Sequence, residues 1–71
     1  MEYTSLTQLQ DAMISRLARI VGKRQNAIII RARRLAREFY TTRAQAMGFD
    51  LDMIEAQIGQ CYEMARLHHG E

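Results

Sequence analysis

The chain has no proline, no tryptophan, one cysteine (Cys61) and only four glycines, each standing alone. The lack of proline leaves long helices uninterrupted. The single cysteine excludes an internal disulfide and suits a reducing compartment. Four scattered glycines cannot form a glycine-rich loop to cradle a phosphate, and no Ser, His and Asp are spaced to suggest a catalytic triad. The sequence therefore calls for no enzyme and no cofactor. Long apolar runs are missing as well: the longest covers residues 27–30, far short of the roughly 18 residues a membrane span needs. The opening MEYTSLTQLQ is polar and lacks the apolar segment of a secretory signal. These absences together read as a cytoplasmic protein with no membrane partner.

Acidic residues are missing from one region in particular. Residues 16–43 carry nine basic side chains, Arg16, Arg19, Lys23, Arg24, Arg31, Arg33, Arg34, Arg37 and Arg43, against the single acid Glu38. Residues 44–71 carry Asp50, Asp52, Glu55, Glu63 and Glu71 against Arg66, and Glu2 and Asp11 lie near the start. A basic centre between acidic ends can attract a polyanion, or it can pair end to centre between two copies.

What the sequence does contain is helical periodicity. Ser5 and Gln8 have the spacing of a capping box, and Leu6, Leu9, Met13, Leu17 and Ile20 follow on one face, with Gly22 as a natural stop. A second helix should start near Gln25 or Asn26 and end by Gly48. For a third, Asp50 is the N-cap, Phe49 and Ile54 form a hydrophobic staple, and Leu51, Ile54, Ile58, Cys61 and Ala65 form the buried face. The expected architecture is a single all-α domain over residues 1–71, a compact three-helix fold with helices at about 5–21, 25–47 and 51–69. The alternative is a long helical hairpin. Leu6, Met13, Ile20 and Ala27 are spaced by sevens through Gly22, so absorbing that glycine, at about 1 kcal/mol, would fuse the first two helices.

At about 100° per residue the second helix gathers Ile28, Ala32, Leu35, Phe39 and Ala46 on one side, with Ile29, Ala36, Tyr40 and Met47 on the flank. That side is expected to face the core. Asn26, Ile30, Arg33 and Arg37 then fall opposite it, with Lys23, Arg34 and Thr41 at the edges. A stripe so basic is too polar for a core, and few acids are placed to pair with it along the helix. Nine of the ten basic residues are arginines, the side chain suited to gripping phosphate or carboxylate with a planar fork.

Residues 17–28, LARIVGKRQNAI, resemble the helix-turn-helix of small repressors and Cro-like regulators. Leu17 and Ala18 would lie on the first helix, Val21 in the angle, Gly22 at the turn, and Ile28 would anchor the second helix. The resemblance implies a DNA-binding transcriptional regulator in which Arg24, Gln25 and Asn26 open the recognition helix and Arg33 lies farther along it. The candidate contact set is then Lys23, Arg24, Gln25, Asn26, Ile30, Arg33, Arg34 and Arg37. The same residues suit a different partner, since an apolar anchor at Ile30 ringed by arginines is what a hot spot for an acidic protein surface requires. An adaptor, chaperone or inhibitor docking on a larger protein is that alternative.

The third helix carries a further apolar set, Met53, Ala56, Gln60, Met64 and Leu67. It either packs on the first helix or serves as an interface, and methionine adapts to irregular partner surfaces. A chain of this size buries only about 60–65% of the surface its unfolded form exposes, which favours self-association. A homodimer formed through the first helix or through Met53, Met64 and Leu67 is the expectation. Cys61 and His68, seven apart with His69 next, read as a small core residue and as charges at a helix C-terminus rather than as metal ligands.

Overall fold

The computed structural model describes residues 3–69, the side chain of His69 apart. Among these residues it contains three helices and no strand: α1 (Leu6–Ala18), α2 (Ala27–Ala46) and α3 (Leu51–His69). Each helix packs against both of the others. The 20 residues of α2 span about 30 Å at 1.5 Å per residue, in a molecule whose long dimension is 34 Å.

Each helix start is set by a short polar side chain. Ser5 Oγ accepts from the Gln8 amide at 3.2 Å, Asn26 Oδ1 from the Ile29 amide at 2.9 Å, and Asp50 Oδ1 from the Met53 amide at 2.9 Å. These satisfy amide groups that the first helical turn leaves without partners. The expected capping box at α1 is half realised. Gln8 Oε1 turns back to accept from the Thr4 amide and hydroxyl, at 3.0 and 2.9 Å, so the reciprocal bond reaches one residue upstream of the N-cap.

The chain bends between α1 and α2. After Ala18 the helix tightens through Ile20 N–H to Leu17 O at 3.0 Å and Val21 N–H to Leu17 O at 2.8 Å, and Gly22 then takes φ +83°. The first helix thus stops three residues before the expected Val21, and the fused hairpin does not form. α2 ends in a Schellman motif. The Gly48 amide donates to Gln45 O at 2.9 Å and the Phe49 amide to Ala44 O at 3.1 Å, with Gly48 at φ +97°. A Cβ at Gly48 would meet nothing within 4 Å. Gly48→Ala is therefore expected to cost about 1–2 kcal/mol from backbone conformation alone, measured by urea denaturation; an unchanged midpoint would remove the left-handed turn as a constraint.

The core comprises Leu9, Met13, Leu17 and Ile20 from the first helix and its turn, Ile29, Ala36, Tyr40 and Ala44 from α2, and Ile54, Ile58, Cys61 and Ala65 from α3. Phe49 packs against the same cluster, as a staple residue should. The faces of α1 and α3 are those expected, with one correction. Leu51 is exposed, and Gln57 is buried in α3 instead. Tyr40 accounts for that polar group, because its hydroxyl donates to Gln57 Oε1 at 2.7 Å. The larger correction concerns α2. Ile28 and Leu35, expected in the core, are 77% and 52% exposed, and Ala46 is exposed too, while the flank residues Ile29, Ala36 and Tyr40 are buried. The helix is rotated so that its most regular apolar stripe lies beside the core. Among the described residues no helix is long and apolar enough to cross a membrane.

A basic apolar groove as candidate docking surface

The rotation of α2 brings Arg33 and Arg37 toward α3. Arg37 Nη2 donates to both carboxylate oxygens of Glu55 at 2.8 Å, and the Arg33 guanidinium lies 5.8 Å from the centre of the Tyr62 ring. With its amide oxygen turned inward, Gln25 accepts from Arg33 Nη1 at 3.0 Å and Nη2 at 3.2 Å. The stripe expected opposite the core is thus not a free face. Asn26 caps α2 and Gln25 holds Arg33, while Arg33 and Arg37 are half-buried at the α2–α3 seam and Ile30 is 49% exposed. The Arg37–Glu55 pair is itself partly solvated and contributes about 0–1 kcal/mol.

The remaining candidates stay exposed. Lys23 and Arg24 lie in the turn before α2, and Arg34 lies on its outer side beside Arg31. None of these four makes an ion pair among the described residues, where the only pairs are Arg37–Glu55 and Glu63–Arg66. Eight residues separate α1 from α2, against the three or four of a helix-turn-helix turn.

The stripe displaced from the core lines the opposite side of α2. Ile28, Ala32, Leu35, Phe39 and Ala46, joined by Thr42, repeat with alternating spacings of four and three, the pattern of a helix-pairing seam. Together with α1 and its turn this stripe forms a groove of about 330 Å³, lined by Arg16, Arg19, Ile20, Ala32, Leu35, Ala36 and Phe39. Phe39 organises one end. The Arg16 guanidinium lies 3.9 Å and that of Arg43 4.2 Å from its ring centre, and Tyr3 meets it edge-on at 5.8 Å. Arg43 Nη1 also donates to the Phe39 carbonyl at 3.2 Å. Cation–π contact and the carbonyl bond hold these guanidiniums at the groove edge, and neither makes an ion pair among the described residues.

Arg16, Arg19, Leu35, Phe39 and Arg43 were not among the site residues that the sequence suggests. Their signal was present as a seam-like apolar repeat bordered by arginines, but an apolar repeat is ordinarily assigned to the core. Elsewhere, Met53, Met64 and Leu67 are exposed on α3 rather than packed on α1. Cys61 is buried in the core while His68 is exposed, and among the described residues no three His, Cys, Asp or Glu side chains gather to hold a metal ion. No family model, curated protein or solved structure matches this chain.

Proposed function

We propose that the chain is a small non-enzymatic docking module, of adaptor or inhibitor type, that takes an acidic amphipathic helix of a partner protein into the α1–α2 groove. The observation that carries this reading is the exposed seam of α2, with Ile28 and Leu35 open to water between arginines that have no acidic partner among the described residues. A seam with alternating spacings of four and three is the complement of another helix, and the groove's floor of Ile20, Ala32 and Ala36 leaves room for apolar anchors. Arg16 and Arg19 select for carboxylates on the incoming helix and speed its approach. Apolar surface of this kind adds nothing to the grip on a phosphate backbone.

The test is fluorescence anisotropy with a synthetic peptide of helical Leu/Glu pattern, a scrambled peptide of the same composition, and duplex DNA. The patterned peptide should bind and the scrambled one should not. Leu35→Ala should weaken binding at least tenfold, the loss typical of truncating a desolvated anchor. Arg16→Ala and Arg19→Ala should act mainly on the association rate and its salt dependence. Indifference to the Leu/Glu pattern and to Leu35→Ala would refute the reading.

A second reading, DNA binding as a transcriptional regulator, is supported by Lys23, Arg24, Arg31 and Arg34, which are exposed and make no ion pair among the described residues. Its signature is a linear dependence of log K for duplex DNA on log salt. Arg24→Ala and Arg34→Ala would each flatten that slope by about one unit.

A further inference from the structure

The outer face of α3 carries an apolar stripe that the fold leaves uncovered: Met53, Ala56, Gln60, Met64 and Leu67 are all exposed. The spacing of these residues is the same read in either direction. Reversing the helix about Gln60 exchanges Met53 with Leu67 and Ala56 with Met64 and returns Gln60 to itself. Gly59 lies next to that centre, exposed in the middle of a 19-residue helix, and a Cβ there would meet nothing within 4 Å. Nothing within the chain requires glycine at that position, and glycine weakens a helix. A second helix crossing closely at Ala56, Gly59 and Gln60 would require it.

We propose that two copies of the chain pair antiparallel through the outer faces of α3, with the two-fold axis at Gln60. Each Met53 then packs against Leu67 of the other copy, and each Ala56 against Met64. The two Gln60 amides meet at the axis, where each can donate and accept. The charges agree with this arrangement. Asp52 near one end of α3 and Arg66 near the other, where Arg66 also holds Glu63 of its own chain at 3.2 Å, are brought side by side between copies, once on each side of the axis. The α2 seam offers no such match, since pairing it with its own copy would set Arg31 and Arg43 against a second basic helix. The pairing leaves the α1–α2 groove open, so a dimer would present two grooves; the two proposals stand or fall separately.

Sedimentation equilibrium of the full chain, across low to high micromolar concentration, should show a dimer. Met64→Glu should shift it to monomer with the helical circular dichroism kept. Gly59→Leu should weaken association more than tenfold while raising the helix content of the monomer, whereas a purely intramolecular role for Gly59 would leave association unchanged. The geometry is read by mild oxidation. Gln60→Cys should crosslink to itself, and Met53→Cys should crosslink only when mixed with Leu67→Cys. A wild-type monomer at high micromolar concentration would overturn the proposal. So would a dimer indifferent to both Met64→Glu and Gly59→Leu, or self-crosslinking of Met53→Cys in place of Gln60→Cys.

Discussion

Ile29→Ala is expected to destabilise the chain at the lower end of about 2–5 kcal/mol, whereas Ile28→Ala, one residue earlier, should change stability by less than about 0.5 kcal/mol. Ile29 is buried in the cluster that joins all three helices, and Ile28 is 77% exposed. Truncating Ile29 removes packed methyl and methylene groups and leaves a cavity, while truncating Ile28 removes surface that water already reaches. For a domain of this size total stability is roughly 4–11 kcal/mol, so the first variant loses a large share of it. Urea denaturation followed by circular dichroism measures both. Equal losses, or a larger loss at Ile28, would mean that α2 presents its other stripe to the core.

That contrast marks where the fold was legible in the sequence. Ser5 and Asp50 announced two helix starts, Gln25 or Asn26 bracketed the third, and Gly48 marked the end of α2, because capping and left-handed backbone are local chemistry. At Gly22 the sequence left a bend and a fused helix both open, and the bend is what forms. The inner face of α1 was legible because one apolar stripe dominates that helix. The register of α2 was not. It carries two apolar stripes, and the more regular one, Ile28 to Ala46, is not the one that packs. The stripe that packs runs through Arg33, and a binary apolar pattern scores arginine as solvent although its stem can lie along a buried surface while its head reaches a partner. Here the head lies beside Tyr62, and Arg37 reaches Glu55. Both are non-local partners that no helical wheel contains.

The same error displaced the candidate site. Placing Ile28, Leu35 and Phe39 in the core forced the functional surface onto the opposite side, around Ile30, Arg33 and Arg37. Lys23, Arg24 and Arg34 remain available in the structure, but Gln25, Asn26, Arg33 and Arg37 are engaged within the chain. Arg16, Arg19 and Arg43 gain their importance only from tertiary neighbours. The two that meet over Phe39 come from positions 16 and 43, on different helices. The charge segregation was legible, since residues 16–43 contain all three; the groove beneath it needed coordinates.

Gln57→Leu is expected to cost about 1–3 kcal/mol despite the similar volume, because it strands the buried Tyr40 hydroxyl without an acceptor. Tyr40 is fully buried, and its bond to Gln57 joins α2 to α3 inside the core. Replacing both groups, Tyr40→Phe with Gln57→Leu, should recover most of the loss, since neither side is then left desolvated and unpaired. Tyr40 and Cys61 also make stability fall at alkaline pH. Burial pushes the Tyr40 hydroxyl above its ordinary value of 10.0; the Gln10 side chain pulls it partly back, and the nearby Cys61 raises it further. Cys61 is raised above 9.0 in the same way, by burial first and then by Asp11. A folded-state value raised above the unfolded one means that the folded chain holds its proton longer. The associated stability is complete below about pH 9 and is lost as pH rises through the raised folded values. Urea midpoints taken from pH 8 to 11 should therefore fall in the parent and fall less steeply above pH 10 in the double variant, where only the Cys61 part remains. A double variant as unstable as Gln57→Leu alone, or one with the parent's full alkaline decline, would remove the Tyr40–Gln57 bond from the forces that hold α2 to α3.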